Sequence, residues 1–334
     1  MLTLPYLDSM SPARKRPRAP PEIAQRDVTP QPVKWQAIAL AKEVSASALF
    51  SATGNALLAQ LRANEPGAVL GHDPEYLHQM RVTVRRLRAL LSLYSAMPGK
   101  QARKKADQEL QRLAHALGPA RDSDVFLYDI WPPLRKALGH GPLVKMLSVE
   151  WLTQQRRNAR IAQRALASRR HQEMRLRLER WFAAQSWRDG ARRRALQAWD
   201  QRARGLARRE LAQRAQRVLV YGRGLKGQDA GALHRLRIDI KKLRYVMDAH
   251  APLFKRARVH KMLQSLSALQ DILGALNDAA VAEQKIGCAL AKSERVNKAR
   301  LQVKFATWHA VHVKALKRKL NDAWRAYRHA RPFW

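Results

Sequence analysis

The chain carries one eighteen-residue segment twice. Residues 77–94 read LHQMRVTVRRLRALLSLY and residues 233–250 read LHRLRIDIKKLRYVMDAH, 156 positions apart. The register outlasts the segment: Leu113, Leu117, Gly118, Asp122 and Val125 fall on Leu269, Leu273, Gly274, Asp278 and Val281 at the same spacing. Two copies of one unit, each with a His followed by a comb of Arg and Lys, point to a two-fold-like cationic site. The 334 residues therefore read as two related halves, about 33–185 and about 192–330, rather than two unrelated domains.

The apolar spacing is helical almost throughout, and no period-2 run of β-branched residues lies between turn signals. Residues 33–64 carry Trp35, Ile38, Ala39, Ala46, Leu49, Phe50, Leu57, Leu58 and Leu61 at helical period. Asp73-Pro74-Glu75 is a helix start: a capping acid, proline at the first position, an acid in the first turn. That helix is predicted to run to about 96, and a third to cover about 100–117 and stop at Gly118-Pro119. A fourth starts near Asp122 and meets Pro132-Pro133. Long helices over about 143–185 and 192–221 follow, broken near 186–190, then a glycine-rich loop. The second copy comes next, and a long last helix over about 293–330. The expected fold class is all-α, two bundles of about four helices each. Seven of sixteen prolines precede residue 33, so residues 1–32 read as a disordered basic arm.

Lys and Arg number 64 against 26 acids, a formal charge of +38, far more than solubility asks for. The bias toward Arg, 44 of the 64, is what a GC-rich genome would produce, but base composition does not explain an excess of bases over acids. The excess implies a polyanionic partner: nucleic acid, a membrane surface or a phosphate polymer. One cysteine, Cys288, forms no internal disulfide, and with no Cys/His metal spacing this fits a reducing cytoplasm. No apolar run approaches the ~18–20 residues of a membrane span, and the apolar stretch at the N-terminus is too short for a signal peptide.

At about 100° per residue, His78, Arg81, Arg85 and Arg88 share an arc of about 80°. Leu77, Met80, Val84, Leu87, Leu90, Leu91 and Tyr94 fill the neighbouring one. The second copy repeats the pattern, with His234, Arg237, Lys241 and Arg244 beside Leu233, Leu236, Ile240, Leu243, Val246 and Met247. Arg86 and Lys242 sit at the edge of each basic stripe. Cations at i, i+3 and i+4 repel by roughly 1–3 kcal/mol per pair, so a stripe ~15 Å long calls for an anion to hold. Arginine's planar fork suits phosphate, and the length suits several phosphates in a row.

HQMRVTVRRLR, its second form HRLRIDIKKLR, and LGPARDSDV with its partner LGALNDAAV resemble the CHAD domain, the conserved histidine α-helical domain, over roughly residues 33–330. The resemblance implies two four-helix bundles related by pseudo-two-fold symmetry. It also implies a basic central channel that binds inorganic polyphosphate and an association with polyphosphate granules in bacterial cells. Carried over by position, the binding residues are His78, Arg81, Arg85, Arg86 and Arg88, then His234, Arg237, Lys241, Lys242 and Arg244. No triphosphate-processing domain precedes the motif, and a non-enzymatic cytoplasmic protein without cofactor or metal is expected, with polyphosphate and other granule proteins as partners. The second copy departs from the first at Asp239 for Thr83 and His250 for Tyr94, so unequal contributions are expected.

Other features carry less. Asp122, Asp124 and Asp278 show one short pair, and acids opening a helix act mostly as caps or arginine partners. His171, His309, His312 and His329 match no zinc pattern. The tryptophans fit inter-helix anchors better than base-stacking platforms. Residues 156–217 hold 19 Arg and five acids: a second cationic wall or a solvent-facing surface. Nucleic-acid binding is the alternative function; charge supports it, but no helix-turn-helix, zinc-finger or RNA-stacking motif does. Polyphosphate hydrolysis or transfer would need clustered carboxylates or a P-loop.

Overall fold

The computed structural model describes residues 31–36, 38–41, 43–94, 98–225, 229–292 and 298–334. The predicted basic arm falls, up to residue 30, outside the described residues, as do parts of the glycine-rich loop and the first positions expected of the last helix. The first half contains α1 (Ala46–Leu70), α2 (Pro74–Leu93), α3 (Lys100–Asp124), a π-helical turn (Val125–Ile130), α4 (Trp131–Leu138), α5 (Pro142–Leu166) and α6 (Arg169–Ala183). The second contains α7 (Arg193–Trp199), α8 (Ala203–Tyr221), α9 (Ala230–His250), α10 (Arg256–Ala291) and α11 (Lys298–His329). The duplication extends to whole helices: α2 and α3 begin at 74 and 100, and α9 and α10 begin at 230 and 256, again 156 residues later. No strand occurs among the described residues, so the all-α expectation holds.

Helices α1, α2, α3 and α5 pack as a ring, and α8, α9, α10 and α11 form the matching quartet. The halves meet through α2 on α9 and α1 on α8. One ring contact joins equivalent positions, as a contact on a two-fold axis does. Tyr94 stacks on His250, its own repeat equivalent, at 6.4 Å and 15°. Ala46 N–H donates to the Gln201 carbonyl and Ala203 N–H to that of Val44, both at 2.9 Å, a reciprocal pair around Ser45 and Arg202. The main apolar core runs through both halves, and a second core joins Phe126, Trp131, Leu134 and Trp151 to Ile286, Leu290, Leu301 and Phe305. Every residue of both apolar arcs on α2 and α9 is buried.

Four boundaries differ from expectation. Residues 33–36 are not helical, because Val33 is taken by α1: its N–H donates to Asn64 Oδ1 at 2.9 Å, and its carbonyl accepts from Gln60 Nε2 and Asn64 Nδ2. The helix does not stop at Gly118-Pro119. Proline costs about 3 kcal/mol inside a helix, but burial of Leu113, Leu117 and Ala120 holds α3 together, and the Pro119 carbonyl accepts from Ser123 Oγ and Asn158 Nδ2. The long 143–185 segment breaks at Ala167, where Ser168 caps α6 through the His171 N–H. The 192–221 segment breaks after Trp199, where Asp200 is gripped by Arg188 at 2.8 and 2.9 Å and by Ser47 Oγ at 2.7 Å. These bonds hold its carboxyl down to about 2.

Helix α6 is seated on α1 by an aromatic knot in which the Phe50 ring meets Tyr94, Trp181, Phe182 and Trp187 with centroids 4.9–5.9 Å apart. Gly54 makes room for this, since a Cβ there would overlap the Phe182 ring. Gly54→Ala should therefore destabilise the fold by about 1–3 kcal/mol through overpacking, read as a lower urea midpoint. A change within about 0.5 kcal/mol, the range of a surface substitution, would mean α6 is not seated this way.

Candidate functional site

The site begins with two equivalent caps. Asp73 accepts from the Glu75 N–H at 2.8 Å and starts α2; Asp229 accepts from the Ala232 N–H at 2.6 Å and starts α9. With start and register set alike, the apolar arcs of both helices are buried and the basic residues stand beside them. Arg85 of α2 donates from Nε to Tyr245 Oη of α9 at 2.9 Å. Lys241, the repeat equivalent of Arg85, is half-buried in the field of Arg237 on its own helix and of Arg85 and Arg81 from the other half. Arg237 in turn lies in the field of Arg85. Arg81, Arg85, Arg237 and Lys241 are thus one cluster supplied by both halves.

Arg81 is held by a bare stretch of backbone. It donates from Nη1 to the Ala114 carbonyl at 3.4 Å and sits 3.5 Å from Asp122 Oδ1. A Cβ on Gly118 would stand 3.1 Å from that Nη1, so glycine permits the close approach. Its counterpart Gly274 has nothing nearby, and Arg237 instead feels Asp278, the equivalent of Asp122. The Nε groups of Arg81 and Arg237 are buried without a hydrogen-bond partner among the described residues. Like charges gathered in half-buried surroundings repel more strongly than in water, because the effective dielectric there is nearer ~20 than ~80.

Burial, then its cationic neighbours, pushes Lys241 down to about 8. Burial, helped by Arg121, Arg85 and Arg81 and opposed by Glu75, lowers His78. Burial also lowers Arg81 and Arg237 and raises Asp278, whose nearby Arg237 and Lys241 pull the other way. Sequence reading passed over Arg121 and Tyr245 as site groups. Arg121 is in the repeated LGPARDSDV element, but its equivalent is Asn277, so the duplication gave no signal for it.

The other motif residues are engaged elsewhere. Arg86 donates to Asp248 Oδ2 across the halves at 2.9 Å and covers the Trp35 ring at 5.4 Å. Arg88 forks onto Asp107 at 2.8 and 3.4 Å. Arg244 donates to Ser267 and Gln270 within its own half. Lys242 lies 3.6 Å from Asp239, the acid that replaces Thr83. His234 is exposed, 3.1 Å from Asn277 Oδ1, and lines a cavity of about 300 Å³ with Glu283, His309 and Lys317. In the arginine-rich 156–217 segment, Arg175, Arg177, Arg188, Arg202 and Arg214 pair with acids, whereas Arg156, Arg157, Arg160 and Arg164 are exposed on α5. Among the described residues no three His, Cys, Asp or Glu side chains converge as metal ligands, and no helix is long and apolar enough to cross a membrane.

This is an all-α protein of duplicated helical quartets whose repeated basic helices pack on one another. The family model described as the CHAD domain matches residues 52–287, and the chain belongs to that family. It is similar to the crystal structure of the CHAD domain from the plant Ricinus communis, with 26% identity and a TM-score of 0.75 over 92% of this chain and 99% of that one. It shares its fold with PptA from Streptomyces chartreusis, at 16% identity and a TM-score of 0.56 over 84% and 99% of the two chains. No curated protein matches the sequence.

The depressed Lys241 has a consequence for stability. The unfolded chain keeps its lysines charged to ~10.4, while the folded chain releases the Lys241 proton near 8. Between these values the unfolded state binds more protons, so stability attributable to this group rises with pH. The unfolding free energy of the wild type minus that of Lys241→Met should grow between pH 8 and about 10, measured by urea unfolding. Parallel curves would remove the shift.

Proposed function

We propose that this chain binds inorganic polyphosphate at the crossing of α2 and α9. The observation that carries the reading is Lys241 lying among Arg81, Arg85 and Arg237, cations drawn from both halves and only partly offset by Asp122 and Asp278. Each phosphoryl group offers oxygens that accept charge-assisted hydrogen bonds from guanidinium and ammonium donors. A chain passing along the cluster relieves the like-charge repulsion and releases its own counterions, and that release drives association. Arg86, Arg88, Arg244 and Lys242 belong to the same basic rows, and their acid and amide partners hold the rows in place beside the chain. His78 and His234 stand toward the N-terminal ends of the two rows and extend the contact. The basic central channel, the granule association and a cytoplasmic location are part of this reading, as is a binding role rather than catalysis. Other granule proteins are further partners.

Arg85→Ala/Lys241→Ala should weaken binding of long-chain polyphosphate by at least about a hundredfold, since each charged hydrogen-bond donor contributes roughly 1.5–3 kcal/mol. The helical circular dichroism should be kept. Replacing Arg156, Arg157, Arg160 and Arg164 together should cost far less; equal losses would reduce the site to diffuse charge. Displacement of long-chain polyphosphate by duplex DNA at equal phosphate concentration would favour the nucleic-acid alternative.

Bound polyanion raises the Lys241 pKa from about 8, so binding takes up a proton above that pH. Affinity should rise as pH falls from about 10.4, the ordinary lysine value, to about 8. Lys241→Arg, which stays charged throughout, should flatten that part of the profile; an unchanged slope in the variant would assign the proton elsewhere.

A further inference from the structure

A cationic cleft lies apart from the α2–α9 cluster. It encloses about 1150 Å³ between the end of α8 and the last turns of α11. One wall is a single face of α11: Arg318, Asn321, Arg325 and Arg328 follow at steps of 3, 4 and 3 residues, a spacing that lines them up over ~15 Å. Arg223, just past α8, faces them. The lining holds one acid, Asp322, and its carboxylate bonds Arg325 at 2.8 Å. Among the described residues no carboxylate pairs with Arg318 or Arg328.

The floor is built rather than incidental. Trp324 is buried and its ring lies against Gly222, where a Cβ would overlap it. This contact fixes the spacing between the α8 terminus and the arginine face. It also leaves Trp324 only 8% exposed, so it offers no free ring face on which a base could stack. The recognition chemistry left in the cleft is guanidinium donors and one side-chain amide, with room beyond a typical small-molecule pocket of ~300–1,000 Å³.

We infer that this cleft is a second anion site that takes a short linear oligophosphate through Arg318, Arg328 and the neighbouring arginines. It reads the phosphates and not a nucleoside, because the one aromatic side chain in the lining, Trp324, is buried. A short phosphate chain matches a row of forked donors spaced along one helix face, as an isolated phosphate does not. The inference stands independently of the central site.

The test is calorimetric titration of the full chain with inorganic tripolyphosphate, comparing wild type, Arg318→Ala/Arg328→Ala, Arg85→Ala/Lys241→Ala and Arg157→Ala/Arg160→Ala. The substituted α11 and α5 arginines are exposed, and alanine favours helix, so these folds should persist. The α11 variant is expected to lose one binding event, at least tenfold in affinity, while the α5 control keeps it. The central variant should keep it too; if tripolyphosphate and long-chain polyphosphate binding are both untouched in the central variant, the proposed function fails and the cleft stands. A wild-type titration in the α11 variant, or an equal loss in the α5 control, overturns the cleft. ATP binding at the cleft more tightly than tripolyphosphate would overturn recognition by phosphates alone.

Discussion

The packing of α2 against α9 is the constraint on which the rest depends. It forces Arg81, Arg85, Arg237 and Lys241 into one half-buried cluster, an arrangement that electrostatics opposes. The opposition is overcome by apolar burial on the adjoining arcs, where Met80, Val84, Leu87, Leu236, Ile240 and Leu243 are fully enclosed. At about 25 cal/mol per Å² of apolar surface removed from water, a few such side chains outweigh several partly screened repulsions. The core thus holds together charges that would otherwise separate, and the work stored there is available to an anion that relieves it.

Duplication accounts for the geometry and also for its inequality. A residue near the pseudo-axis meets its own copy, as Tyr94 meets His250, so a change in one copy alters a contact shared by both. The two halves have diverged at such places. Tyr245 and Asp248 anchor Arg85 and Arg86, but their equivalents Ala89 and Ser92 offer Lys241 and Lys242 no comparable partner. The first copy supplies oriented guanidiniums, and the second supplies a lysine whose charge answers to its surroundings. The fully buried His250, whose Nδ1 donates to the Val246 carbonyl at 2.9 Å, is held down to about 4 by burial and serves packing.

Much of the fold was legible. Asp73-Pro74-Glu75 starts a helix as read, and the two apolar arcs are buried in full, because side-chain periodicity is a property of the backbone alone. Trp35 and the Gly118-Pro119 pair were not legible. Trp35 sits at helical spacing, yet Asn64 and Gln60 capture the backbone at Val33; Pro119 lacks a donor, yet burial keeps α3 continuous. In both cases a distant partner outbids a local preference. Gly118 reads as a helix breaker in sequence, whereas in space it is where Arg81 comes close to the α3 backbone.

The amino-acid sequence by itself determined the helical class, the duplication, the cationic stripe on each copy and the family they point to, since all of these are written in residue type and spacing. Only the tertiary structure decided which cations act together. Arg85 and Arg86 are neighbours in the chain, yet one looks toward Lys241 and Tyr245 and the other is spent on Asp248 and Trp35. A side chain's charge is intrinsic, but its partners and its solvation are set by what folding brings within a few ångströms, and spacing along one helix does not contain that distance.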